Sequence, residues 1–194
     1  GRSARALRLD VADIGATAAA IAQEGPFDIL VNNAGTNRPK PVWAVSEQDY
    51  DAVLDLNLKS AFFVAKAVAE GLIAAERPGS LIHITSQMGQ VGGANRTLYC
   101  ASKWGVEGFS KALSLDLAPY GIRSNTLAPT FIETPMTRPF FEDKAFLESV
   151  LSKIKLGRLG KVEDLMGAVV FLASPSSALM TGATLSIDGG WTAD

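Results

Sequence analysis

The stretch Ser80-Leu81-Ile82-His83-Ile84-Thr85-Ser86 is an apolar run of strand length, and Ile122-Arg123-Ser124-Asn125-Thr126-Leu127-Ala128 is another. Between them lie a glycine-bearing loop, Gln87 to Arg96, and a helical segment, Thr97 to Pro119. Two strands joined by a crossover helix lie parallel and are covered on both faces. The same alternation extends outward. Upstream, Phe27 to Val31 reads as a strand, and Ser46-Glu47-Gln48-Asp49 opens a long helix that runs to about Glu76 and stops at Pro78-Gly79. Further upstream, Ala4 to Val11 reads as a strand, and Asp13 caps an alanine-rich helix ending at Gly25-Pro26. Downstream come a proline-punctuated loop from Pro129 to Pro139, helices from Glu142 to Lys153 and Val162 to Ala173, and a short strand from Thr184 to Ile187. The expectation is an α/β fold: a doubly wound, three-layer parallel sheet in one domain across residues 1–194, with residues 130–160 as a substrate lid.

Tyr99 and Lys103 stand at i and i+4 of the helix after the loop, so they share one face a single turn apart. Ser86 closes the preceding strand and can meet them. A free tyrosine titrates near 10, and a neighbouring cation stabilises its phenolate, which makes the phenol a usable proton-transfer group. A serine hydroxyl that holds a substrate oxygen completes a site for interconverting an alcohol and a carbonyl. The same spacing also occurs in helices where tyrosine merely packs its ring and lysine reaches to water.

Composition narrows the partners. With 194 residues, 18 Lys and Arg against 20 Asp and Glu, and a net charge of −2, the chain has no basic footprint for nucleic acid or an anionic membrane. A small-molecule substrate is expected. No run approaches the roughly 18 apolar residues of a membrane span, and residues 1–10 lack the apolar core of a signal peptide. The single cysteine, Cys100, rules out an internal disulfide and fits a reducing, cytoplasmic setting, where it reads as a small helix residue. His83 is the only histidine, inside a strand, and no cluster of ligands accompanies it, so no metal is expected.

Further motifs surround this trio: Asn32-Asn33-Ala34-Gly35 after the second strand, Asn57 in Leu56-Asn57-Leu58-Lys59, Asp10-Val11, Arg158-Leu159-Gly160, Thr181-Gly182 and Asp188-Gly189-Gly190. In this order the chain resembles the short-chain dehydrogenase/reductase family over nearly its whole length. The resemblance implies a Rossmann-like fold, an NAD or NADP cofactor and a catalytic tetrad of Asn57, Ser86, Tyr99 and Lys103. Tyr99 would be the acid/base, Ser86 would bind the reacting oxygen, Lys103 would tune the tyrosine and hold the nicotinamide ribose, and Asn57 would steady a proton-relay water. Independently, Asn57 falls in a helical stripe with Tyr50, Leu54 and Ala61, where a polar side chain needs partners. The implied cofactor contacts are Asp10, Val11, Asn33, Ala34, Gly35, Tyr99, Lys103, Pro129, Ile132 and Thr134. Gly35 fits a close backbone approach to a flat ligand.

Two departures accompany the resemblance. Pro129 is followed by Thr130 where the family usually has glycine. The family's glycine-rich phosphate turn, with the strands flanking it, does not precede Ala4, and in the family's sheet order, 3-2-1-4-5-6-7, that strand separates the two formed here by Ala4 to Val11 and Phe27 to Val31. A fragment that binds dinucleotide weakly is expected. For substrate, Ser86, Gln87, Arg96 and Tyr99 are the candidate contacts, with Asn37, Arg38 and Asn95 nearby, and Arg96 or Arg38 pairing any carboxylate. The pattern is most similar to dehydrogenases of sugars and sugar acids such as gluconate, and also to 3-oxoacyl-carrier-protein reductases. A non-catalytic subunit and a sugar-nucleotide epimerase are the other readings. The family resemblance implies a homo-oligomer, usually a tetramer.

Overall fold

In the computed structural model, which describes residues 3–193, four strands form one parallel sheet in the order β1-β2-β3-β4. They are β1 (Ile29–Asn32), β2 (Gly79–Ile84), β3 (Ile122–Pro129) and β4 (Thr184–Ile187). Register pairs Leu30 with Leu81, Leu81 with Ser124, and Leu127 with Leu185. Side chains alternate across the sheet, and each face has its own core. Leu81 and Ile122 point into a cluster with Ala65, Val68 and Leu72 of α3 (Ser60–Ala74) and Leu117 of α4 (Thr97–Leu117). Ile82 and Leu127 point the other way, onto Leu172 of α6 (Val162–Ala173). Helices therefore cover both faces, as the strand and helix alternation predicts.

Local signals act as read. Asp13 accepts the Ala16 amide at 3.0 Å and starts α1 (Ile14–Glu24), and Ser46 with Asp49 forms a reciprocal capping box that opens α2 (Glu47–Leu54). Asp143 caps α5 (Lys144–Leu151), so the helix expected from Glu142 to Lys153 is shorter, and a 3-10 turn precedes it. Among the described residues no helix is long and apolar enough to cross a membrane.

Two expectations fail. The stretch Ala4 to Val11 is not a strand; residues 3–10 are exposed and irregular. A strand exists only through pairing with a neighbour, and no described strand lies alongside this segment or the outer edge of β1. The helix expected from Ser46 to Glu76 is broken. Asp55–Lys59 forms a π turn between α2 and α3, the Ser60 amide bonds to Asp55 five residues back, and the Ser60 hydroxyl takes the Leu56 carbonyl at 2.5 Å. Such a turn re-aims the side chains it carries and is frequent at functional sites.

Candidate active site

Ser86 is the second residue beyond β2, at the carboxyl end of the sheet. Its hydroxyl accepts the Met88 amide at 3.1 Å and donates to Gln87 Oε1 at 2.7 Å, so the 3-10 turn Gln87–Gly89 fixes its position. Tyr99 and Lys103 follow on the first two turns of α4, on the face laid against β2 and β3. Lys103 is 5% exposed, and its ammonium donates to the Ile84 carbonyl at 3.0 Å and lies 5.6 Å from the Tyr99 ring centre. The serine, the phenol and the ammonium thus converge as their spacing requires.

One turn further along the same face stands Glu107, a buried carboxylate that the sequence reading passed over. It accepts the hydroxyls of Thr85 at 2.6 Å, Thr126 at 2.7 Å and Thr184 at 2.6 Å, which ties α4 to the residue after β2 and to β3 and β4. The spacing 99, 103, 107 was the available signal. Burial lowers the Lys103 pKa to about 8, and the Glu107 charge opposes that fall. Tyr99 behaves differently from expectation. Burial raises its pKa, while the Ser86 hydroxyl and the Arg96 charge draw it back. Desolvation outweighs the serine bond and the arginine charge, so the phenol keeps its proton at neutral pH and stands ready as an acid.

Asn57 sits in the π turn and is 2% exposed. Its amide donates to the Thr36 carbonyl at 2.9 Å and to Ser102 Oγ at 3.0 Å, and its Oδ1 accepts the Thr36 amide at 2.7 Å. The need for partners is met in full by the loop after β1 and by α4, although Tyr50 of the same stripe is 54% exposed. Gly35 has a reason beyond ligand approach: a Cβ there would stand 3.3 Å from Asn57 Oδ1 and 3.7 Å from Lys103 Nζ. His83 is a satisfied sheet residue, with Asn32 Nδ2 3.4 Å from Nδ1, Ser124 Oγ 3.3 Å from Nε2 and the Phe109 ring edge-on.

A cavity of about 750 Å³ opens over the carboxyl end of the sheet. Of the expected site residues, Asn33, Gly35, Ser86, Gln87, Arg96, Tyr99, Lys103, Pro129, Ile132 and Thr134 line it. Asn57 stands behind the wall, and Asp10, Val11 and Ala34 are not part of the lining. Asp10 instead caps its own turn, accepting the Ala12 amide at 3.0 Å. Arg38 is corrected as a substrate contact. Asp49 holds it at 3.2 Å and Lys40 at 2.5 Å, and the two cations with the Ser46 bonds keep that carboxyl far below its usual range, so neither cation is free for a ligand. A family model described as Enoyl-(Acyl carrier protein) reductase matches residues 1–192. The chain belongs to the short-chain dehydrogenase/reductase family. It is 36% identical over 185 residues to L-xylulose reductase of Bos taurus, covering 95% of this chain and 76% of that one. It is 39% identical to the 3-oxoacyl-acyl-carrier-protein reductase FabG of Vibrio harveyi, covering 98% of this chain and 78% of the relative. Among solved structures, a gluconate 5-dehydrogenase from Burkholderia cenocepacia J2315 in complex with NADP and tartrate matches with a TM-score of 0.92 and 38% identity, over 96% of this chain and 74% of that one.

This dehydrogenase/reductase is NAD(P)-dependent and acts on CH–OH groups. Bound nicotinamide supplies or accepts the hydride. The cavity suits an anionic, hydrogen-bonding cofactor: Lys103 and Arg96 line it, no acidic residue does, and the buried Thr130 hydroxyl in its wall has no partner. Thr130, where the family usually has glycine, is the second residue whose part the sequence reading did not foresee.

Proposed function

We propose that this enzyme interconverts a secondary alcohol and a ketone on a polyol, sugar or sugar acid. The observation that carries the proposal is the convergence of Ser86, Tyr99 and Lys103 on one cavity wall that also holds Gln87, Arg96 and Asn37, a polar surface matched to a hydroxyl-rich substrate. Ser86 exchanges its bond to Gln87 for one to the substrate oxygen. Tyr99 gives its proton to that oxygen in reduction and takes it back in oxidation. Lys103 keeps charge beside the phenol and holds the nicotinamide ribose, and Asn57 lies where a relay from lysine can continue. Asn33, Ala34, Gly35, Pro129, Ile132 and Thr134 contact the cofactor, with Asp10 and Val11 toward its adenine, and residues 130–160 act as the lid. Exposed Phe62 and Phe63 on α3 and Trp104 and Leu115 on α4 support a homo-oligomer, a tetramer by family habit, and one lone cysteine accords with the cytoplasm.

A second reading has an observation of its own. Met136, Phe140, Leu165, Met166 and Val169 give the cavity an apolar wall that would suit the acyl chain of a 3-oxoacyl thioester, the substrate class in the name of the Vibrio harveyi relative. Oxidation of D-gluconate and xylitol with NAD⁺ and NADP⁺, against reduction of a 3-oxoacyl thioester with NADPH, separates the two. In the same assays Tyr99→Phe is expected to lower turnover about 10²- to 10⁴-fold with the melting temperature unchanged. Turnover retained by that variant would overturn the assignment of the phenol.

A further inference from the structure

Among the described residues Arg96 is the only arginine in the buried class, at 8% exposed. Five arginines elsewhere have acidic partners, Arg5 with Glu24, Arg38 with Asp49, Arg77 with Asp28, Arg138 with Glu133 and Arg158 with Asp164, and Arg123 donates to the carbonyls of Leu172 at 2.8 Å and Met180 at 3.2 Å. Arg96 has no acidic partner. Its Nε is buried without any hydrogen-bond partner, and its Nη1 makes one long bond, 3.3 Å, to the carbonyl of its own neighbour Asn95. A guanidinium carries five N–H donors, and leaving one of them buried and unmade is costly.

The surroundings hold this side chain in place. Asn95 takes a left-handed backbone, φ 58°, at the entrance to α4, and its carbonyl accepts the Lys40 amide as well. A Cβ at Gly93 would stand 3.3 Å from Arg96 Cγ and 3.0 Å from Met88 Cε, so that glycine leaves room for the arginine stem. The guanidinium lines the same cavity as Ser86 and Tyr99, three residues before the phenol, and no Asp or Glu shares the lining.

We propose that Arg96 is the subsite for a substrate carboxylate, which narrows the substrate class to hydroxy acids and the corresponding oxo acids, with neutral polyols and ketoses disfavoured. The inference rests on the alcohol and ketone reading above. A carboxylate presents two oxygens to a planar fork that is already largely buried, whereas a hydroxymethyl group in its place offers a single neutral acceptor to it. Sites built around a buried polar group reject analogues that lack its partner by large factors. The carboxylate at Arg96 then places a nearby carbinol carbon between Ser86 and Tyr99, and the resulting neutralisation also removes the cation that draws the phenol pKa down.

The test uses pairs that share a carbon skeleton, D-gluconate with D-glucitol and L-tartrate with threitol, on the wild-type enzyme, Arg96→Ala and Arg96→Lys. The wild type is expected to favour the acid of each pair, and Arg96→Ala to lower the acid-to-neutral ratio of kcat/KM at least about tenfold, chiefly through KM, with Arg96→Lys restoring part of it. Calorimetric titration of D-gluconate into Tyr99→Phe, with and without Arg96→Ala, reads the same contact without turnover, and binding weakened about tenfold supports it. Equal loss on acids and neutrals, or equal binding by the two proteins, overturns the role of Arg96 and leaves the alcohol and ketone reading standing. Turnover confined to a 3-oxoacyl thioester overturns both the role of Arg96 and the polyol, sugar or sugar-acid substrate class.

Discussion

The two flanks of β1 and β2 differ sharply in how they are held. On β2, Leu81, Ile82 and His83 are at most 1% exposed, and the residues that follow, Thr85 and Ser86, bond to Glu107, Gln87 and the Met88 amide. On β1, Ile29 is 47% exposed and Val31 43%, with Phe27 just ahead of the strand at 40%. The proton-transfer corner is therefore built from contacts among the end of β2, the turn after it, β3, β4 and α4. The corner beside β1, where the resemblance puts the adenine side of the cofactor, has no packing on its outer side among the described residues. The two corners draw on different strands, so the bonding of one does not depend on the exposure of the other.

Asn57 is where that contrast can be strained most, since it clasps the loop after β1 to α4. Asn57→Ala removes three bonds and leaves the half-buried Thr36 amide and carbonyl without their partner beside a small void. The expected cost is about 2–4 kcal/mol, read as a fall in the urea midpoint at constant m-value, with activity lost in parallel. A midpoint within error of the wild type would mean that the loop after β1 holds its course without the clasp, and the tetrad corner would then be independent of β1 altogether.

Most of the sheet and the trio at its end were legible because the signals are local. Apolar runs bounded by glycine and proline mark β2 and β3, and an i, i+4 pair on a helix needs no tertiary knowledge. What escaped is tertiary. Ala4 to Val11 has strand composition but no partner, and pairing is invisible in a single segment. The π turn at Asp55–Lys59 carries Asn57, whose partners Thr36 and Ser102 lie 21 and 45 positions away. Arg38 and Arg96 look alike in sequence, yet one is consumed by Asp49 and the other is left with unmet donors. The raised Tyr99 pKa follows from a burial that residue types do not reveal.

His83 offers a second, smaller strain on the same contrast, because it couples β1 through Asn32 to β3 through Ser124. Burial lowers its pKa from 6.5 to about 4. Between those values the unfolded chain binds a proton that the native state refuses, so stability rises with pH across that window and is lost as pH falls through it. Acidification from 6.5 to 4 is expected to cost up to about 3 kcal/mol from this residue. In His83→Asn the difference from wild type should shrink progressively over the same range, as measured by urea midpoints at several pH values. Parallel pH profiles for the two proteins would mean that the imidazole titrates in the native state, and hence that the centre of the sheet is wetter than its exposure indicates.

The smallest effect bears most directly on the outer edge of β1. Ile29→Thr keeps the β-branched shape that a strand favours and removes apolar surface from a side chain already half in water. Its cost should stay within about 0.5 kcal/mol, where truncating Leu81 to alanine in the core should cost about 2–5 kcal/mol. If Ile29→Thr instead cost more than about 2 kcal/mol, nearly the whole transfer free energy of a buried isoleucine would be at stake. That magnitude is available only when both faces of the side chain are dry, so the measurement would show a layer seated on β1 in solution, and the asymmetry between the two flanks would disappear.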